Sequence, residues 1–262
     1  MILAAVILYL IVVALAFAFQ TRMVFPGAPP EPALPRNAER LTIEAPDGVS
    51  LRGMLLPAPT PAAGAPVILA FPGNATNAAT AALLTHDLYP QADVIGFHYR
   101  GYPPSTGRTG AAALCADSLL EYDLAARRFP GRPIVAIGFS VGSGVASFVA
   151  SRRPVAGLIL VTPFDSMVNV AAGQMPWLPV RLLFRNPMNS AEWLRQRRLP
   201  VAVIAAGSDR LVRPPRTAAL RQAIPNLVYD RTISGADHNS IYVHPDFPAA
   251  MRAALAAVAP RP

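Results

Sequence analysis

The chain is 262 residues long, 53% hydrophobic and carries a formal charge of +8, and every basic side chain apart from histidine is an arginine. That length holds one sizeable α/β domain with a well-buried core and leaves no room for a second full domain. The arginines are scattered apart from short runs such as RQRR at 195–198, which excludes the clustered basic stripe of a nucleic-acid binder. A lone cysteine, Cys115, excludes an internal disulfide and a cysteine metal cluster.

Residues 1–19, MILAAVILYLIVVALAFAF, carry no charged side chain and nearly reach the ~20 apolar residues that cross a bilayer as a helix. The expectation is an uncleaved single-pass anchor over residues 1–20, in a membrane such as the bacterial inner membrane. A secretory signal would begin with basic residues, which are missing, although Ala16 and Ala18 offer an A-x-A-like cleavage site that would export the chain. Arg22 alone flanks the segment and leans the rest of the chain toward the cytoplasm. Residues 21–40 include FPGAPPEPALPRNAER, whose prolines predict an extended, semi-rigid linker. Such a linker would hold the catalytic domain off the membrane and let it work without its anchor.

From residue 41 to 262 the pattern is that of one domain. LTIEAPDGVSLRGMLLPA alternates apolar and polar residues around Asp47-Gly48, a hairpin signal. The short apolar runs PVILAF, ADVIGFHY, PIVAIGF, GLILVT and PVAVIAA then alternate with helix-like stretches, as in a buried parallel sheet covered on both faces. Cys115 falls in one of those stretches and reads as a small core residue. NLVYDRTIS at 226–234 is the last expected strand, and a helix follows over 245–258. The fold class is α/β: a mostly parallel central sheet with an antiparallel N-terminal hairpin and helices on both faces. A lid-like excursion at 168–199 interrupts it, with Met175, Trp177, Leu178, Leu182, Leu183 and Phe184 available either to wall an acyl pocket or to cover the sheet.

The stretch AIGFSVGSGVASF at 136–148 carries the chemistry. PIVAIGF supplies a strand ending at Phe139, while Val141, Val145, Phe148 and Val149 share one helix face, so Ser140 sits at a strand-to-helix turn. A serine so placed is exposed on a strained backbone, and Gly138 and Gly142 admit the close approach of strand and helix. The helix N-terminus behind it favours negative charge, and the Val141 N–H can donate to an oxyanion. A serine nucleophile needs a histidine held by a carboxylate. His238, in SGADHNS just past the last strand, is the loop histidine able to reach back over the sheet. His86 falls in a helix, His98 in a strand-like run, and His244 precedes proline. Asp209 in AAGSDRLV follows the strand PVAVIAA and gives the order Ser, Asp, His; Asp165 in TPFDS, one strand earlier, is the alternative acid. No lysine follows the glycines as a phosphate-binding loop requires, no carboxylate pair for glycoside cleavage is evident, and no metal or cofactor is expected.

With Ser140 in GFSVGSG, Asp209 in GSDRLV and His238 in GADHN, the chain from about residue 41 onward resembles the α/β-hydrolase superfamily. FHYRGYPPSTG at 97–107 is similar to that family's YRGYGxSxG loop. The hydrophobic N-terminus followed by FQTRMVFPG resembles a membrane-anchored subgroup that includes ABHD-type depalmitoylating enzymes and serine aminopeptidase-like hydrolases. The resemblance implies a serine hydrolase cleaving carboxylic esters or thioesters through an acyl-enzyme. The alternatives are an aminopeptidase-like amide hydrolase or a non-catalytic, membrane-tethered binding protein on the same fold. One motif departs: where the family has His-Gly after its first core strand, this chain reads AFPGNATN, with Pro72 in place of the histidine. Because the donor there is backbone, the Asn74 N–H remains the expected second oxyanion donor beside Val141. The partners expected are a small-molecule or acyl substrate and a membrane, with no nucleic acid.

Overall fold

A computed structural model describes residues 1–62 and 64–259; the last three positions of the 41–262 domain lie outside them. In chain order the elements are α1 (Ile2–Val24), β1 (Glu39–Glu44), β2 (Ser50–Leu56), β3 (Val67–Phe71), α2 (Ala78–Leu88), β4 (Asp93–Phe97), α3 (Ala111–Arg128), β5 (Ile134–Phe139) and α4 (Val141–Arg152). After them come β6 (Gly157–Val161), α5 (Met167–Gln174), α6 (Val180–Leu183), α7 (Ser190–Leu194), β7 (Val201–Ala206), α8 (Pro214–Ala223), β8 (Leu227–Ile233) and α9 (Phe247–Val258).

The strands form one eight-stranded sheet in the order β1-β2-β4-β3-β5-β6-β7-β8. Pairing is antiparallel for β1 with β2 and β2 with β4, and parallel from β4 to β8. The hairpin turns at Asp47-Gly48, where Gly48 takes a φ of +78° and Ala45 and Val49 close the loop. In β3, Val67, Leu69 and Phe71 enter one core layer while Ile68 and Ala70 enter the other, and β5, β6 and β7 repeat the alternation. Continuous apolar runs are what such a strand requires, because neither of its faces meets water. Helices α3, α4 and α8 cover the first layer, and α2 and α9 cover the second. All chain directions in the parallel part agree, so the loops after β3, β5, β6, β7 and β8 gather at one edge.

Burial also accounts for two ionisable groups on α3. Cys115 is a core residue whose thiol is pushed up to about 12 by burial, so it stays a thiol. Burial, and after it the Asp117 carboxylate, holds Glu121 well above the usual carboxylate range. Asp117 itself lies in a paired contact with Arg100, whose Nε and Nη2 donate to its two oxygens at 2.6 and 2.5 Å.

The N-terminal region departs from the sequence expectation. Helix α1 runs beyond residue 20 to Val24 and stops before Phe25-Pro26, since the residue preceding a proline avoids the helical conformation. Residues 12, 13, 16, 17, 20, 21 and 24 form a partly covered stripe at helical spacing, while the opposite face is exposed. That stripe lies on the excursion: Tyr9 Oη donates to Trp177 O at 2.9 Å, and Gln20 Nε2 donates to Leu183 O at 3.1 Å.

The proline-rich stretch is not a free spacer. Phe25 is buried, Asn77 Nδ2 donates to Pro29 O at 3.0 Å, and Glu31 lies 3.2 Å from the buried His98 ring. Val24 and Ala28 pack on one core layer and Leu34 and Ala38 on the other, so the stretch straps the domain instead of standing away from it. Proline rigidity made it extended, and the missing ingredient was the set of acceptors its carbonyls offer.

Candidate active site

Ser140 lies between β5 and α4 with φ +51° and ψ −116°, a conformation a non-glycine residue adopts only when its surroundings force it. The forces are local. The Ser140 N–H donates to Val161 O at 2.9 Å, continuing the sheet, and its own carbonyl accepts from the Ser143 N–H at 2.8 Å, starting the helix. A side chain at Gly138 would place its Cβ 2.3 Å from Gly142 O, and one at Gly142 would place its Cβ 2.1 Å from Phe71 O and 2.5 Å from Pro72 O. Both glycines are therefore obligatory for steric reasons, and the sharp turn leaves the hydroxyl projecting at the sheet edge. Gly144 is also tightly placed, but against side chains that can shift: a would-be Cβ lies 2.9 Å from Met188 Sδ and 3.0 Å from Phe164; the spacing pattern does not single it out.

The Ser140 hydroxyl lies 2.8 Å from His238 Nε2, and His238 Nδ1 lies 2.7 Å from Asp209 Oδ2. All three residues are buried. Asp209 sits in the loop after β7, and its other oxygen accepts the N–H groups of Leu211 at 2.9 Å and Val212 at 2.8 Å. Those two backbone donors orient the carboxylate so that its second oxygen faces the imidazole. With a carboxylate at Nδ1, the ring carries its proton there and offers Nε2 to the serine as an acceptor.

The competing groups are engaged elsewhere. Asp165, after β6, accepts from Asn169 at 2.7 Å and from Arg216 at 3.0 Å. His86 lies 3.0 Å from Pro57 O, His98 faces Glu31, and His244 takes the Asp246 N–H at 3.2 Å. Tyr242 borders the site from the turn after His238, stacked edge-on against Phe139, and burial pushes its phenol up to about 12.

Asn74 follows β3 in the loop that Gly142 touches. Among the described residues neither the Asn74 N–H nor the Val141 N–H donates to a protein acceptor. Three contacts hold the loop. Tyr99 Oη donates to Pro72 O at 2.8 Å, Tyr102 Oη donates to Asn74 O at 2.6 Å, and Asn74 Nδ2 donates to Val24 O at 3.1 Å. Burial pushes the Tyr102 phenol up to about 12, so it remains a donor across the neutral range. The proline at 72 thus leaves a braced loop: tyrosines from the HYRGYPPSTG stretch donate to its carbonyls on one side, and on the other the Asn74 amide donates to the Val24 carbonyl at the end of α1.

The order of strands, the turn at Ser140 and these loops have known counterparts. Residues 66–187 match the family model described as alpha/beta hydrolase fold. An uncharacterized protein of Mycobacterium tuberculosis is 32% identical over 236 residues, covering 87% of this chain and 83% of its own. The chain belongs to the α/β-hydrolase superfamily. Protein bem46 of Schizosaccharomyces pombe is 26% identical to this α/β-hydrolase chain over 235 residues, 83% of this chain and 79% of its own. Among solved structures, the Pyrococcus furiosus esterase Pf2001 superposes with a TM-score of 0.68 at 18% identity, covering 88% of this chain and 96% of that one. At that identity the superposition speaks to the fold.

The α/β-hydrolase core brings the side chains of Ser140, His238 and Asp209 into one line, with Gly138 and Gly142 packed at the turn; Val141 follows Ser140 directly, and Asn74 lies two residues after Pro72 in the loop that Gly142 touches. Sequence reasoning missed the supports: Tyr99 and Tyr102, whose hydroxyls end on carbonyls, and Gln20 and Asn77, whose amides tie the N-terminal stretch down. The aromatic spacing in HYRGY was the one available signal.

Proposed function

We propose that this protein is a serine hydrolase that cleaves carboxylic esters or thioesters by acyl transfer. The observation that carries the reading is the continuous line from Ser140 Oγ through His238 to Asp209, at 2.8 and 2.7 Å. Ser140 Oγ attacks the carbonyl carbon while His238 Nε2 takes its proton, and Asp209 stabilises the resulting imidazolium. The oxyanion of the tetrahedral intermediate is held by the Val141 and Asn74 N–H groups. Collapse expels the alcohol or thiol, which leaves with the proton from His238, and water repeats the sequence on the acyl-enzyme.

The Pyrococcus protein is named an esterase, which favours the same chemistry. An apolar excursion beside the site favours an acyl group over a charged amino terminus. In this reading α1 serves as a membrane anchor: one face of it is exposed aliphatic surface from Ile2 to Phe19, and its mean hydropathy is 3.0 over its most apolar 18 residues. A carbonate wash that leaves full-length protein in the membrane fraction tests the anchor.

A fluorophosphonate probe is expected to label the wild-type protein and not Ser140→Ala. Folded wild-type protein that takes no label would overturn the reading in favour of a binding protein. A screen of p-nitrophenyl esters, acyl thioesters and aminoacyl amides is expected to rank the first two above the third.

A further inference from the structure

A cleft lined by positive charge lies outside the Ser140 line. Its volume is about 660 Å³, within the roughly 300–1,000 Å³ of small-molecule sites. Residues between 169 and 182 form one wall, and residues from Leu211 to Arg216, at the start of α8, form the other. None of Ser140, His238 and Asp209 lines it, so a ligand there is held beside the reaction and not consumed by it.

The lining has three arginines and, among the described residues, no carboxylate. Arg216 is matched by the buried Asp165 at 3.0 Å. Arg181 is engaged by Asn169 Oδ1, a neutral acceptor, at 2.9 Å. Arg213, the residue that precedes α8, makes no side-chain hydrogen bond or ion pair among the described residues. Asp209, earlier on the Leu211 loop, faces His238 instead. One carboxylate against three guanidinium groups leaves two of them without a counter-ion, and the positive end of α8 adds to their field. Like charges so gathered repel, and an anion between them removes that cost. A planar guanidinium offers paired N–H donors that match the oxygens of a phosphate.

The remainder of the cleft is apolar and adjoins the N-terminal helix. Leu178 lines both this cleft and the contact with α1, so one segment of the excursion separates the arginines from that helix. Leu182, in the lining, is 83% exposed, and Leu211 is 44% exposed. Trp177, also exposed, holds Tyr9 of α1 through its carbonyl at 2.9 Å. A free anion gains nothing from such a rim, whereas an anion joined to hydrocarbon covers it.

We infer that this cleft binds the headgroup of an acidic phospholipid, with the phosphate among Arg181, Arg213 and Arg216 and the acyl chains lying over Leu178 and Leu182 toward α1. The inference rests on the reading of α1 as a membrane anchor and not on the hydrolase chemistry. It gives the domain a second, charge-selective hold on the membrane, which fixes how the excursion faces the lipid.

The test uses full-length protein in neutral detergent micelles, with one lipid added at a time. Dioleoyl phosphatidylglycerol is expected to raise the Tm by about 4 °C, as a ligand well above its dissociation constant does. Dioleoyl phosphatidylcholine is expected to leave it unchanged. Arg213→Gln and Arg181→Gln are each expected to remove most of the rise, and Arg252→Gln, exposed on α9 over the other core layer, is expected to keep it. Each variant is compared with its own Tm without lipid, so a substitution that only weakens the fold moves both values together. A rise that survives in both cleft variants, or that phosphatidylcholine matches, overturns the site. An equal rise from inorganic phosphate at the same concentration overturns lipid as the source of the anion. Ser140 labelling by the fluorophosphonate probe is a separate measurement, and its failure would sink the hydrolase reading while leaving this one standing.

Discussion

The sheet edge around Ser140 and the seam between α1 and the excursion are neighbours built on opposite principles. At the edge, every atom of consequence is fixed more than once. Ser140 is held by a strand bond, a helix bond and two glycines, and Asp209 by two backbone N–H groups. At the seam the contact is mostly apolar, fastened by Tyr9, which reaches Trp177 O, and by Gln20, which reaches Leu183 O and accepts the Arg185 N–H. Directional bonds specify geometry, while dispersion and burial specify only shape and volume. The lesson is that in this chain the residues of the proposed reaction sit where geometry is over-determined, while the seam beside them is a surface whose residues can vary without disturbing that geometry.

The sharpest way to break that comparison is to swap acids. Asp209→Asn is expected to lower turnover of a short ester by about 10⁴-fold with the fold intact, because the imidazole loses the group that sets its tautomer. Asp165→Asn, whose carboxylate serves Asn169 and Arg216, is expected to cost less than about tenfold. Steady-state kinetics on both variants decides, and a reversal would move the acid to the earlier loop. Next in size is Gly142→Ala. Its Cβ would stand 2.1 Å from Phe71 O, and the resulting overpacking is expected to destabilise by about 3 kcal/mol or more, read as a lowered midpoint in urea.

Both regions meet in the third prediction. Deleting residues 1–24 removes the acceptor of Asn74 Nδ2 and uncovers the apolar excursion. Turnover of a short ester is expected to fall about tenfold, comparable to the loss of one well-made polar contact, and the protein is expected to self-associate in size-exclusion chromatography. Unchanged activity from a monomer would restore the free linker expected from the prolines.

How far the molecule could be read from its sequence follows the same division. The strands were legible because β3, β5, β6 and β7 are apolar on both faces, and a run such as VILAF has few other uses. Ser140, Asp209 and His238 were legible because only a few residue types suit a nucleophile, an acid and a base, and they fall after β5, β7 and β8 in that order. The docking of α1 and the strap was not. Their fastenings end on Val24 O, Pro29 O, Trp177 O and Leu183 O, and a backbone carbonyl looks the same whatever residue carries it. Likewise the excursion's six apolar residues could not reveal which surface they face: Phe184 packs on the core layer of the sheet, Trp177 and Leu182 are exposed, and Met175, Leu178, Leu183 and Phe184 line the seam.

The smallest expected effect concerns the core beneath the edge. Glu121 is raised by burial, then by Asp117. Its folded state holds the proton that the unfolded chain releases near pH 4.3, so its contribution to stability is present below that pH and is lost as pH rises toward the folded value. Glu121→Gln removes the penalty. The Tm of the variant relative to wild type is expected to be higher at pH 8 than at pH 5, by about 2–4 °C, in a thermal melt.

The contact between Gly142 and the carbonyls of Phe71 and Pro72 has one more consequence. It joins the turn bearing Val141 to the loop bearing Asn74 with no side chain between them, so the spacing of the two proposed donors cannot breathe independently of the sheet. For the reaction proposed here, the hole exists before any substrate arrives. Reorganisation that an induced-fit enzyme performs on each turnover is completed once, during folding. On that reading no loop closure is needed to form the hole.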